Sequence, residues 1–159
     1  RREPGLWRFV WDDVVYEPGE LRAVAWKAGA KWCEEAVRTT GAPARAVLEA
    51  DRTDLLGDGT DVAVVTLSLQ DAKGRSVPDA CEALTLTVEG PVRILGVGNG
   101  DSAWQAAERP ADPASRTFQV RTFNGLAQVL IQAAETPGGA TLTAEGPGLK
   151  GGTLSFRVR

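Results

Sequence analysis

From Ala44 onward, apolar residues recur at every second position in short runs, and each run is closed by glycine, proline, asparagine or aspartate. Leu84, Leu86 and Val88 alternate with Thr85 and Thr87 before Gly90-Pro91, and Ala63, Val65, Leu67 and Leu69 share one face before Asp71-Ala72-Lys73-Gly74. A period of two fits a strand with one buried face and does not fit a helix, whose apolar positions recur every three to four residues. Further runs of the same kind are Ala46–Ala50, Val92–Val97, Arg116–Thr122, Leu126–Ala134, Ala140–Ala144 and Leu154–Val158. About seven strands joined by short turns are expected for an antiparallel β-sandwich of immunoglobulin type. Its shared core should hold Leu67, Leu86, Ile131 and Phe156. Asn124-Gly125, between Arg116–Thr122 and Leu126–Ala134, is the strongest hairpin signal in the chain.

Residues 1–43 read differently. Leu6–Trp11 places Trp7, Phe9 and Trp11 on one face, which predicts a strand that buries aromatics. Tyr16-Glu17-Pro18-Gly19 has the proline and glycine of a type II turn. Strands are expected over Leu21–Lys27 and Lys31–Arg38, with Ala28-Gly29 between them. Three such strands form a meander too small to stand alone. Thr39–Pro43 punctuates the chain as a linker, so 1–43 is expected to be the C-terminal part of one sandwich and 44–159 a second, complete one. The start at Arg1-Arg2-Glu3-Pro4 has no initiator methionine and looks like the interior of a longer polypeptide, which leaves localisation to sequence outside these residues.

Composition excludes several kinds of function. With 18 lysines and arginines against 21 acidic residues, the formal net charge is −3, and no basic cluster is present to follow a phosphate backbone. No apolar run reaches the length of a membrane span. Histidine is absent, which removes the commonest general base and the commonest metal ligand. Cys33 and Cys81 are too few for a zinc site. Each lies in a strand-like context suited to a small buried hydrophobe, and a disulfide between them would have to cross the expected domain boundary.

Four motifs suggest chemistry. Gly96-Val97-Gly98-Asn99-Gly100 follows a strand, but a dinucleotide fingerprint needs its third glycine where Asp101 stands, so the glycines are read as a tight turn. Asp54, Asp58 and Asp61 crowd one loop without the EF-hand spacing and are expected to cap backbone amides. Glu82, Glu89, Asp101, Glu108 and Asp112 show no pairing with an apolar setting, as a glycosidase pair would need. No metal and no cofactor is expected. The fourth feature is the polar excursion Ser102–Ser115, where Ser102–Glu108 has the composition for two helical turns. Trp104 is the one aromatic that strand alternation leaves unexplained; it either plugs the sandwich edge or docks on a neighbouring domain or a sugar ring. Asn99, Asp101 and Trp104 are therefore the candidate contact residues.

The succession YEPGELRAVAW at Tyr16–Trp26, VRTTGAPA at Val37–Ala44 and DGTDVAVVTLSLQDAKGRSVPDA at Asp58–Ala80, then GVGNGD at Gly96–Asp101 and FNGLAQVLIQ at Phe123–Gln132, resembles the C-terminal region of bacterial β-galactosidases of glycoside hydrolase family two. The resemblance implies a parent with a jelly-roll sugar-binding domain, an immunoglobulin-like domain and a catalytic (β/α)8 barrel, followed by accessory sandwiches. The family's acid/base and nucleophile glutamates lie in that barrel, so none maps onto this chain. After GVGNGD this sequence departs from the family, with Ser102-Ala103-Trp104-Gln105 in place of a Pro or Ser/Thr-rich turn and a Glu-Pro element. The implied function is that of a non-catalytic accessory region of a retaining β-galactosidase that packs, orients or oligomerises its parent. Its partners would be the upstream domains, in cis or as a separate chain, with a homo-oligomer or a carbohydrate also possible, and neither nucleic acid nor membrane. The alternatives are a carbohydrate- or surface-binding module and an adhesin-like immunoglobulin domain; a lack of internal repetition weighs against the latter.

Overall fold

A computed structural model describes residue 5 and residues 8–159 of the chain. The chain divides into two compact units, Arg1–Thr39 and Thr40–Arg159.

The first unit is built on one antiparallel hairpin, β1 (Glu20–Lys27) and β2 (Ala30–Arg38). The register pairs Leu21 with Val37, Ala23 with Glu35 and Ala25 with Cys33, so one face of the ribbon is largely apolar. The opposite face pairs Glu20 with Arg38 and Val24 with Glu34, and carries ion pairs from Arg38 to Glu20 (2.7 Å) and from Lys31 to Glu34 (2.6 Å). The base of the hairpin is closed by the Thr39 amide on the Gly19 carbonyl (2.8 Å) and by the Gly19 amide on Thr39 Oγ1 (3.0 Å).

Among the described residues 8–11 the expected buried aromatic strand is not formed. Trp7 lies outside the described residues, Phe9 enters a single isolated bridge, and Phe9 and Trp11 are both exposed. Trp26 and Trp32 are exposed as well, at 67% and 69%. Among the described residues of this unit the ribbon is the one sheet, and a two-stranded sheet by itself cannot bury its faces. Cys33 and Cys81, expected to be buried, are both exposed free thiols.

The second unit is an immunoglobulin-like β-sandwich. Its strands are β3 (Pro43–Ala50), β4 (Asp54–Leu55), β5 (Val62–Asp71), β6 (Ala83–Glu89), β7 (Val92–Gly98), β8 (Thr117–Arg121), β9 (Leu126–Ala133), β10 (Gly138–Glu145) and β11 (Gly152–Val158). One sheet runs β4-β11-β10-β6-β8 and the other β3-β5-β9-β7. Every pairing is antiparallel except β11 with the short β4, which is parallel. The alternation read from the sequence is the burial pattern observed: Leu67, Leu86 and Ile131 are fully buried and Phe156 nearly so, with the intervening threonines and glutamines turned outward. Val65, Val129, Val88 and Leu142 complete the layer between the sheets.

Two expectations are corrected. Asn124-Gly125 does form a tight turn, with the Leu126 amide on the Phe123 carbonyl (3.0 Å) and the Phe123 amide on the Leu126 carbonyl (2.9 Å). It does not make a two-stranded hairpin, because β8 pairs with β6 while β9 pairs with β5 and β7. The turn carries the chain from one sheet to the other. Ser102–Glu108 contains no helix. The Trp104 amide reaches the Asp101 carbonyl (3.0 Å) for one turn, and then the Glu108 carbonyl is taken by the Val97 amide (2.6 Å), which draws the segment along β7.

Candidate functional site

The excursion between β7 and β8 starts where the strand runs out of side chains at Gly98. Asn99 then ties the turn down: its Nδ2 donates to the Arg121 carbonyl (3.0 Å), and its Oδ1 accepts the Asp101 amide (3.0 Å). Asp101 Oδ1 in turn accepts the Ala103 amide (2.9 Å). Short polar side chains bonding the backbone two residues on are the usual way a turn is fixed without a helix. Asn99 and Asp101 are thus brought together as holders of the turn, and Trp104 stands directly after them, half-buried. Asn99 also lines a shallow pocket of about 330 Å³ with Thr66, Gly100 and Gln128.

Beyond Trp104 the chain follows the free edge of β7 and leaves an open groove of about 880 Å³. Its floor is Arg93, Ile94 and Leu95, and its wall runs from Ala106 to Ala111 with Pro113. At the far end Asp112 Oδ1 accepts the Ala114 amide (2.8 Å), and Arg116 Nη1 donates to the Gly90 (2.9 Å) and Val92 (2.7 Å) carbonyls. None of the three residues expected from the sequence lines this groove. Its arginines were missed because single arginines carry no sequence signal; only the folded excursion brings Arg109 and Arg93 to the lining of one groove.

Elsewhere several aspartates are engaged structurally. Asp58 Oδ1 accepts the Thr60 and Asp61 amides (both 2.8 Å), and those amides hold its carboxyl below the usual range. Asp61 accepts the Leu56 amide (2.8 Å) and pairs with Arg52, and Asp54 pairs with Arg159 (2.7 Å). Among the described residues no group of three acidic, cysteine or histidine side chains could hold a metal ion. Asp71 is a second such hub, buried at the end of β5. Its oxygens accept the amides of Gly41 (2.9 Å), Arg75 (2.9 Å) and Lys73 (2.9 Å) and the Arg75 guanidinium (2.7 Å). The Gly41 amide first, then the Arg75 amide, hold this carboxyl far below the usual range although burial works against ionisation. Neither carboxylate faces the groove, and neither is placed against a second carboxylate as glycoside hydrolysis requires.

The chain resembles known proteins along most of its length. Residues 47–155 match the family described as glycoside hydrolase family 2 C-terminal domain 5, and residues 3–33 match a domain of unknown function, DUF4982. A β-galactosidase, BoGH2A, of Bacteroides ovatus is 36% identical over 90% of this chain and 16% of its own length. A β-glucuronidase of Formosa agariphila is 26% identical over 94% of this chain and 14% of its own. The solved structure of a glycosyl hydrolase family 2 member from Bacteroides cellulosilyticus superposes with a TM-score of 0.80 at 26% identity, covering 92% of this chain and 18% of that one. The chain therefore spans about one sixth of the length of the curated relatives it matches. With a sandwich of this topology and a family match over more than half its length, the chain belongs to the glycoside hydrolase family 2 C-terminal domains.

Proposed function

We propose that this chain is the non-catalytic C-terminal accessory region of a retaining β-galactosidase-like enzyme, and that it packs against and orients the parent. The observation that carries the reading is the largely apolar face of the β1–β2 ribbon formed by Leu21, Ala23, Ala25, Cys33 and Val37, with Glu35 as the charged residue opposite Ala23 and with Leu21 and Val37 standing 66% and 67% exposed. Burying apolar surface is worth about 25 cal/mol per Å², and a single ribbon supplies no layer to do it. In this reading residues 1–43 complete a sandwich with preceding strands of the parent, and residues 44–159 form the last sandwich. Trp104, set by the Asn99–Asp101 turn, is then the excursion's contact residue toward a neighbouring domain. Support for the chemistry of the parent is the 36% identity to a β-galactosidase.

The test has two arms. The purified chain should hydrolyse no chromogenic galactoside; turnover that persists after rigorous removal of host enzyme would overturn the non-catalytic assignment. In the parent enzyme, Leu21→Asp with Val37→Asp should lower the unfolding temperature of the region that holds the ribbon, with a fragment of residues 40–159, which lacks both positions, as the reference for the sandwich alone. Unchanged thermal unfolding of the parent would show that the ribbon face is not a packing face.

A second reading is favoured by one observation: Trp26 and Trp32 stand exposed near the tip of the hairpin, with Lys27 Nζ 5.4 Å from the Trp32 ring centre. Exposed indoles are the stacking platforms a carbohydrate-binding module would use. Saturable quenching of tryptophan fluorescence by galacto-oligosaccharides, abolished in Trp32→Ala, would support that reading over the accessory one.

A further inference from the structure

The floor of the large groove is a strand edge with unused backbone groups. The Ala134 amide bonds to the Pro91 carbonyl, and the register sets Arg93 opposite Gln132. In an antiparallel ladder the bonded positions alternate, so Arg93 faces β9 while Val92 and Ile94 turn their backbone groups to the free edge. The bulge at Ile94/Gly96 then turns Val97 outward too. At the two ends these outward groups are used: the Val92 carbonyl by Arg116 and the Val97 amide by Glu108. Between them, the amide and carbonyl of Ile94 have no partner among the described residues, although the residue is only 3% exposed and lies in the groove. Buried backbone groups without partners are rare, and an open strand edge is a template for another strand.

We propose that this groove binds an extended, acidic peptide segment of a partner protein, which adds to β7 at Ile94. One residue of the segment exchanges both backbone hydrogen bonds with Ile94, and the carboxylate side chains beside it meet Arg93 and Arg109. Charge favours this occupant: the groove is lined by two arginines against one acid, Glu108, and among the described residues the Arg109 side chain has no ion-pair or hydrogen-bond partner, while Arg93 commits only its Nε, to Gln132 Oε1 (2.8 Å). Strand addition takes its affinity from the main chain and its selectivity from flanking side chains, which is what a short edge between two arginines offers. A sugar chain fits less well, since the lining holds no aromatic ring for it to stack on. This site does not depend on the role of the chain in a larger enzyme.

The experiment uses the full 159-residue chain and a capped seven-residue peptide of alternating valine and glutamate, with valine–lysine and valine–serine peptides as controls. Amide chemical shifts are followed through the titration. The expected result is saturable binding of the glutamate peptide with shifts concentrated at Ile94, Leu95 and residues 106–111. Affinity should fall about tenfold in the exposed-site variant Arg109→Glu and with rising salt. Equal binding of all three peptides, shifts located away from β7, no binding at millimolar peptide, or binding of oligogalacturonate in place of the peptide would each overturn the proposal. Should Arg109→Glu perturb the fold, Arg93→Gln serves instead, since its exposed side chain belongs to β7 on the floor and not to the excursion.

Discussion

At the scale of single residues, the second unit depends on small polar groups placed where the backbone needs them. Asp71 is the clearest case, because one buried carboxylate satisfies three amides and a guanidinium. Its carboxyl is held below the usual range by these donors, so it contributes stability that is fully present above the unfolded value of about 4 and is lost as pH falls below it. Asp71→Asn should therefore be less stable than the parent chain at neutral pH, with the gap closing in acid. Urea unfolding between pH 2 and pH 7 checks this: the parent should take up about one more proton on acid unfolding than the variant. Thr122 plays a similar part, buried with its Oγ1 accepting the Glu82 amide (2.9 Å).

At the scale of elements, the turn Phe123–Leu126 matters more than any strand it joins. Gly125 has φ +74°, and a Cβ there would stand 2.1 Å from the Val77 carbonyl oxygen. Its amide bonds Ala80 (2.8 Å) and its carbonyl accepts Leu69 (2.8 Å), so the turn is sewn between β5 and the loop before β6. Gly125→Ala adds a left-handed penalty of about 1–2 kcal/mol to an overpacking cost of about 1–3 kcal/mol, about 2–5 kcal/mol in all. Gly148 has nearly the same φ, +72°, with nothing within 4 Å of a Cβ, and Gly148→Ala should cost only the first part. Thermal unfolding of the two variants side by side separates clash from conformation; equal losses would show that the Val77 contact yields.

At the scale of the whole molecule, the two units make opposite use of apolar side chains. The sandwich encloses its own from both sheets, so Leu86→Ala should cost about 2–5 kcal/mol in a two-state chemical denaturation. The ribbon of the first unit leaves its large apolar groups exposed, which is the basis for the proposal that it packs within a larger parent. What the sequence determined by itself was the strand content, the faces and the core of the sandwich, because alternation with period two is local: Leu67, Leu86, Ile131 and Phe156 could be named from their neighbours alone. Some turns were legible for the same reason, Asn124-Gly125 among them, and Asp58 and Asp61 cap amides as expected, whereas Asp54 pairs with Arg159 and Gly96 and Gly98 lie within β7 rather than in a tight turn. Tertiary structure decided the rest. Asn124-Gly125 specifies a tight turn, but which sheet each flanking strand joins depends on partners far away in the chain, β6 on one side and β5 and β7 on the other. Ser102–Glu108 has helical composition, yet the Val97 amide and the Asn99–Asp101 turn outcompete a two-turn helix, whose nucleation is unfavourable. The aromatics of the first unit alternate as a buried strand would, but burial needs a second layer, and no residue can supply that by its own pattern. The groove beside β7 follows the same logic: an unpaired Ile94 backbone between two arginines is a product of sheet order and of where the excursion runs, neither of which is written in the local sequence.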